Sequence, residues 1–131
     1  MIWKGTGLTG EMESGTLKEI RGTEAIPVKK IRITAIRKAC YRDLMEQYEN
    51  PMEHACAVEE GQVFLANGWQ KPEGLCDSAW ESMSPFVMTL AHGGSHIYGD
   101  WMKNPRSAMI SCNDGFRPVS FLIEALDEDA E

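Results

Sequence analysis

Apolar and polar positions alternate through "KIRITAIRK", where Ile31, Ile33 and Ala35 interleave with Arg32 and Thr34, so this stretch predicts a strand with one buried face. The next segment, "CYRDLMEQYEN", places Leu44, Met45 and Tyr48 at helical spacing and stops where Asn50 precedes Pro51. A short helix or a pair of turns is expected there. Beyond the loop "PMEHACAVEEG", the run "QVFLA" predicts a second, short strand in which Val63 and Leu65 oppose Phe64 and Ala66.

The strongest helical pattern lies in "KPEGLCDSAWESMSPFVMTLAHGG". Ala79, Trp80, Met83, Phe86, Val87 and Leu90 recur at three- and four-residue steps, and Ser78 with Glu81 spells an S-x-x-E capping box. Proline is disfavoured inside a helix but suits its first position, so Ser84 and Pro85 predict the cap and start of a second helix, closed by Gly93 and Gly94. After the loop "HIYGDWMKNPR", "SAMISC" and "PVSFLIEAL" flank Asn113, Asp114 and Gly115, a strong signal for a hairpin with a tight Asp-Gly turn. Pro118 lacks an amide donor and so belongs at an edge or a bulge. The expected architecture is a single α+β domain: an antiparallel sheet of four strands with two or three short helices.

Residues 1–29 are rich in Gly, Thr and Glu without sustained periodicity, and read as an N-terminal extension, a flexible arm, to a compact domain over 30–126. Within them Gly5, Gly7 and Gly10 match G-x-G-x-x-G, yet no strand fits before Gly5 and no periodic helix follows, so a dinucleotide site is rejected. Residues 127–131, "DEDAE", read as an acidic tail. A chain of 131 residues supports one hydrophobic core. No apolar run approaches the roughly 20 residues of a membrane span and no secretory leader is recognisable, which places the chain in the cytoplasm with reduced cysteines.

The formal net charge of -7 argues against nucleic acid and anionic membranes as partners and leaves a protein partner as the expectation. The charge is uneven: Lys29, Lys30, Arg32, Arg37, Lys38 and Arg42 follow one another without an intervening acid. This basic run reads as a solvated strand edge blunted by charge. Trp69 and Trp101 fall in loops, where they line a pocket or meet a partner.

Four cysteines, Cys40, Cys56, Cys76 and Cys112, carry the candidate chemistry. No C-x-x-C pair occurs, so a shared site requires the fold to assemble it. All four fall at the ends of predicted elements or in loops, and Cys40 and Cys76 precede helical segments, where unsatisfied amides favour a negative sulfur. Four converging thiolates suit zinc or an iron-sulfur cluster, and fewer with His54, His92 or His96 suit a mixed zinc site. Against this, reduced cysteine is also a common apolar filler of cores. "HGGSH" lacks a G-x-S-x-G partner, and its glycines prevent a zinc helix, so His92 and His96 are loop ligands at most. Arg117, held beside Pro118 and near Asp114, suits a bidentate clamp on a carboxylate or phosphate, or a brace for its own turn.

The order "CYRDL", a cysteine before "EEGQVF", "PEGLCDSAW" and "SCNDGFRPVSF", with the pattern C-x-D-G-x-R-P-V from Cys112 to Val119, resembles a family of small bacterial and archaeal proteins. The resemblance spans Lys30 to about Leu126 and includes all four cysteines. It implies one α+β domain and a joint role for the cysteines, and it brings no activity. Three readings follow: a cysteine-ligated metal or iron-sulfur accessory or redox subunit of a larger enzyme, a non-catalytic interaction module with structural cysteines, and an enzyme using one activated thiol, Cys76 or Cys40.

Overall fold

The computed structural model describes residues 27–53 and 56–131. Most of the N-terminal extension, with its glycine pattern and Trp3, and His54 lie outside the described residues. The elements in chain order are β1 (Lys29–Lys38), α1 (Arg42–Tyr48), β2 (Val63–Ala66), α2 (Asp77–Ala91), β3 (Ser107–Ser111) and β4 (Val119–Asp129). The strands form one antiparallel sheet in the order β2-β1-β4-β3, which is the α+β architecture that the patterning predicts.

Period-two alternation sends Ile31, Ile33 and Ala35 of β1 and Val119, Phe121 and Ile123 of β4 to the same face, where all six are at most 1% exposed. Helix α2 lies across β1, β3 and β4 on that face and closes the core with Met83, Val87 and Leu90. Phe64 and Ala66 of β2 face inward as well, leaving Val63 and Leu65 on the other side. No helix among the described residues packs on that other face.

Several elements differ from the pattern-based expectation. α2 is one continuous helix, not two: Pro85 sits inside it, and Ser84 caps nothing. A helix broken there would split Met83 from Val87 and Leu90, three residues the core buries completely. Pro85 and Glu81, whose carbonyl loses its usual donor, both lie on the exposed side, where water can solvate that carbonyl. The start also lies earlier than Ser78, because Cys76 is the N-cap. At the far end the predicted glycine stop holds. Gly93, at φ 96°, donates to Leu90 O at 3.2 Å, and Gly94 donates to Thr89 O at 2.8 Å, a Schellman pair that positive φ makes glycine's place.

The C-terminal hairpin forms with Ser111 opposite Ser120, but its connection is longer than a two-residue turn. Gly115 does not take a positive φ, and Asp114 instead folds the loop by accepting N–H bonds from Phe116 at 2.8 Å and Arg117 at 3.2 Å. Pro118 precedes β4 and offers its carbonyl to Ala39 N at 2.9 Å. β4 continues through Asp129, so residues 127–129 of the acidic tail are strand.

The basic run is not on an edge either. β1 is paired on both sides, and three of its cations meet acids in or just beyond β4: Lys29 with Asp129 at 2.6 Å, Lys30 with Glu128 at 2.8 Å and Glu131 at 3.2 Å, and Arg32 with Glu124 at 3.1 Å. The pairing holds Lys30 charged above the ordinary lysine range, through its hydrogen bonds to Glu128 and Glu131. The expected short helix exists as α1, with none of its residues buried and Leu44 and Tyr48 exposed.

Candidate functional site: a three-thiol cleft

Strand order and the start of α2 together bring three distant segments to one place. Cys76 caps α2 with φ -71° and ψ 149°, the extended geometry of an N-cap, and its Sγ accepts the Ala79 N–H at 3.4 Å. Ser78 Oγ stands 3.3 Å from the same sulfur. Cys112 follows β3, where its N–H reaches Val119 O at 3.0 Å and its Sγ accepts the Val119 N–H at 3.3 Å. Cys56 packs half-buried against the core. All three line one cleft of about 110 Å³, floored by Ala79, Val119 and Phe121 and walled by Val58, Ser78, Asp114 and Arg117.

Exposure differs within the trio. Cys76 is open to solvent, whereas Cys56 and Cys112 are half-buried, and all are free thiols. The volume is well below the few hundred Å³ of a drug-sized ligand site, so the cleft admits an ion or the reactive end of a larger molecule. Wider hollows beside α1, about 530 Å³, and along Ala57 to Gln62, about 480 Å³, contain no cysteine.

Arg117 binds this corner together. Its guanidinium pairs with Asp114 Oδ2 at 3.2 Å and with the Glu49 carboxylate at the end of α1. Tyr41 N–H adds a bond to Phe116 O at 2.8 Å, so the loop after β3 anchors both ends of α1. Arg117 therefore braces its own turn, the second of the two roles expected of it, and also ties that turn to the end of α1. Hydrogen bonding to Glu49 raises its already high pKa and fixes it as a cation. Burial alone would raise the Asp114 carboxyl, but the Phe116 and Arg117 amides and the Arg117 charge outweigh it and hold the group below the ordinary aspartate value.

The remaining candidates stand elsewhere. Cys40 is exposed, does not line the cleft, and has its Sγ 3.7 Å from Met45 Sδ. His92 caps the C-terminal end of α2 and donates from Nδ1 to Met88 O at 2.8 Å. His96 lies beyond it, at φ 55° and 3.0 Å from Ser95 Oγ. A 15-residue helix spans ~22 Å, so His92, at its far end, is a helix length away from Cys76, and neither histidine lines the cleft. Among the described residues no three His, Cys, Asp or Glu side chains stand close enough to hold one metal ion. Trp69 and Trp101 are exposed, and Trp101 stacks on Tyr98 at 5.0 Å between ring centroids, away from the thiols.

Pattern reading misses Val58 and Phe121 as lining of the cleft and Glu49 as the partner of Arg117, 68 residues away. Only Phe121, on the inward phase of its strand, carries a sequence signal. The fold and site define a small α+β protein with a three-thiol cleft at a helix start. No protein-family model, curated protein or solved structure matches the chain. No helix among the described residues is long and apolar enough to cross a membrane.

Proposed function

We propose that the protein is a small thiol-redox accessory protein that exchanges disulfides at Cys56, Cys76 and Cys112. The observation that carries this reading is that three of the four cysteines, from three separate segments, line one small cleft. Their exposures divide the labour: Cys76 meets the substrate, and a half-buried neighbour resolves. The Cys76 thiolate attacks one sulfur of a substrate disulfide, forming a mixed disulfide as the substrate S–S bond breaks and one thiolate leaves, to be protonated by solvent. Cys112 or Cys56, giving its proton to solvent, then attacks the Cys76 sulfur and expels the second thiolate. The substrate gains two electrons, and the protein keeps one new disulfide.

A soft metal or an iron-sulfur cluster on the same three sulfurs is the second reading, favoured by the same convergence. It omits Cys40 and needs the sulfurs drawn closer, since Zn–S bonds are ~2.3 Å. One experiment separates the two. Anaerobically purified protein is assayed for iron, zinc and acid-labile sulfide, then treated with diamide, alkylated and mapped by non-reducing peptide mass spectrometry. A Cys76 disulfide to Cys112 or Cys56, with Cys40 alkylated and no stoichiometric metal, supports exchange. Stoichiometric metal lost in Cys76→Ser moves the assignment to the second reading. Metal-free protein whose thiols all stay reduced overturns both.

A further inference from the structure

No helix among the described residues packs on the face of the sheet opposite α2, yet that face is not purely polar. Val63 and Leu65 of β2, Ile36 of β1 and Met109 of β3 expose 53%, 55%, 42% and 43% of their surface. Register aligns them in rows. Val63, Thr34, Leu122 and Met109 run side by side across the four strands, and Leu65, Arg32 and Glu124 form the next row, which ends at the buried Ser107. Ile36 and Arg37, at the bulge in β1, share a shallow hollow with Met109 and Ser120. The open face of an antiparallel sheet is commonly solvated and polar, so apolar side chains exposed together on it mark an interaction surface.

Charge identifies what fits it. On this face β1 contributes the cations Lys30, Arg32 and Arg37, while its neighbour β4 contributes Glu124 and Glu128. The two central strands therefore carry opposite signs, mirrored about the line between them. We propose that this face pairs with the same face of a second copy of the chain, about a twofold axis parallel to the strands between β1 and β4. That rotation exchanges β1 with β4 and β2 with β3 while keeping each row in place. Arg32 then faces the second copy's Glu124, and Glu124 its Arg32, joining two ion pairs into one cluster of four charges. Val63 faces the second copy's Met109, and Thr34 its Leu122. An axis across the strands would instead lay β1 on β1 and β4 on β4, like charge on like, so the charge pattern selects between the two arrangements. Aligned sheets ~10 Å apart interdigitate their side chains in this way. The thiol cleft, on the helix side, stays open in both copies.

Sedimentation velocity from micromolar to millimolar chain tests the pairing. The wild-type protein is expected to run at twice the chain mass. Val63→Lys, which removes no ion pair within the chain, is expected to halve it. Arg32→Glu weakens association about tenfold or more, and Arg32→Glu with Glu124→Arg restores it, because the swap recreates every pair. Far-UV circular dichroism confirms that each variant is folded. A wild-type monomer throughout the range overturns the proposal and leaves the face to a different occupant. A dimer indifferent to Val63→Lys also overturns it, since the contact then lies elsewhere.

Discussion

Replacing Cys76 separates its two roles, because the sulfur that opens the thiol cleft also caps α2. The Ala79 amide belongs to the first turn of α2 and has no partner within the helix, Ala79 is fully buried, and the Cys76 sulfur accepts its N–H at 3.4 Å. Cys76→Ala strands that donor away from water. Losing a good N-cap costs about 0.5–2 kcal/mol, and sulfur is a weak acceptor, so the loss belongs in the lower half of that range, about 0.5–1.2 kcal/mol. Serine is among the best N-cap residues and its hydroxyl is a stronger acceptor, so Cys76→Ser is expected to equal or exceed the wild type by up to about 1 kcal/mol. Urea denaturation at fixed pH, with unchanged slope and a shifted midpoint, reads both values. Thiol titration meanwhile reports one reactive thiol fewer in each variant. The order Ala below Cys, and Cys at or below Ser, is the expected result. An alanine variant within about 0.3 kcal/mol of wild type, or a serine variant below alanine, would show that the sulfur does not cap the helix.

Two further perturbations follow from the same corner and the same helix. Pro85→Ala restores the amide that Glu81 O lacks in the exposed middle of α2; against a gain of up to about 3 kcal/mol stands the stiffness that proline gives the unfolded chain, so a net gain of about 1–2 kcal/mol in urea is expected, and no gain would refute the loss of a helix hydrogen bond at Pro85. Asp114 has a native pKa below its unfolded value, so its contribution is present above the ordinary aspartate value of about 3.9 and is lost as pH falls through the lower native value. Amide resonances of Phe116 and Arg117 are therefore expected to hold steady down to about pH 4 and to shift below it, and a transition centred above that value would contradict the two N–H bonds to Asp114.

The sheet was legible where period and burial coincide. Ile31, Ile33 and Ala35 in β1, and Phe64 and Ala66 in β2, alternate in sequence and are buried in the fold. The misreadings occur where a local rule competes with a distant contact. Pro85 satisfies the rule for a helix start, but buried Ala79 and Met83 before it and Val87, Leu90 and Ala91 after it hold the helix continuous. The cations of β1 resemble an edge defence because their partners are remote: Lys29 and Asp129 are 100 residues apart. The cysteines repeat the lesson. Their positions at element ends were visible, while the convergence of Cys56, Cys76 and Cys112, and the exclusion of Cys40, depend on strand order and on where α2 begins.

β4 is the element on which both proposals meet, and its alternation keeps them separate. Val119 and Phe121 point to the helix side and floor the thiol cleft, while Leu122 and Glu124 point to the open face and lie in the two rows of the proposed pairing. A strand sends neighbouring residues to opposite faces, so a one-residue slip of β4 would bury Leu122 and Glu124 under α2 and expose Phe121. Register is thus fixed twice over, by the buried row Phe121 and Ile123 and by the cross-strand pair Arg32 with Glu124. The thiol chemistry requires only the helix face and the pairing only the open one. A failure of either leaves the other standing, because no side chain in the cleft takes part in the face that meets the second copy.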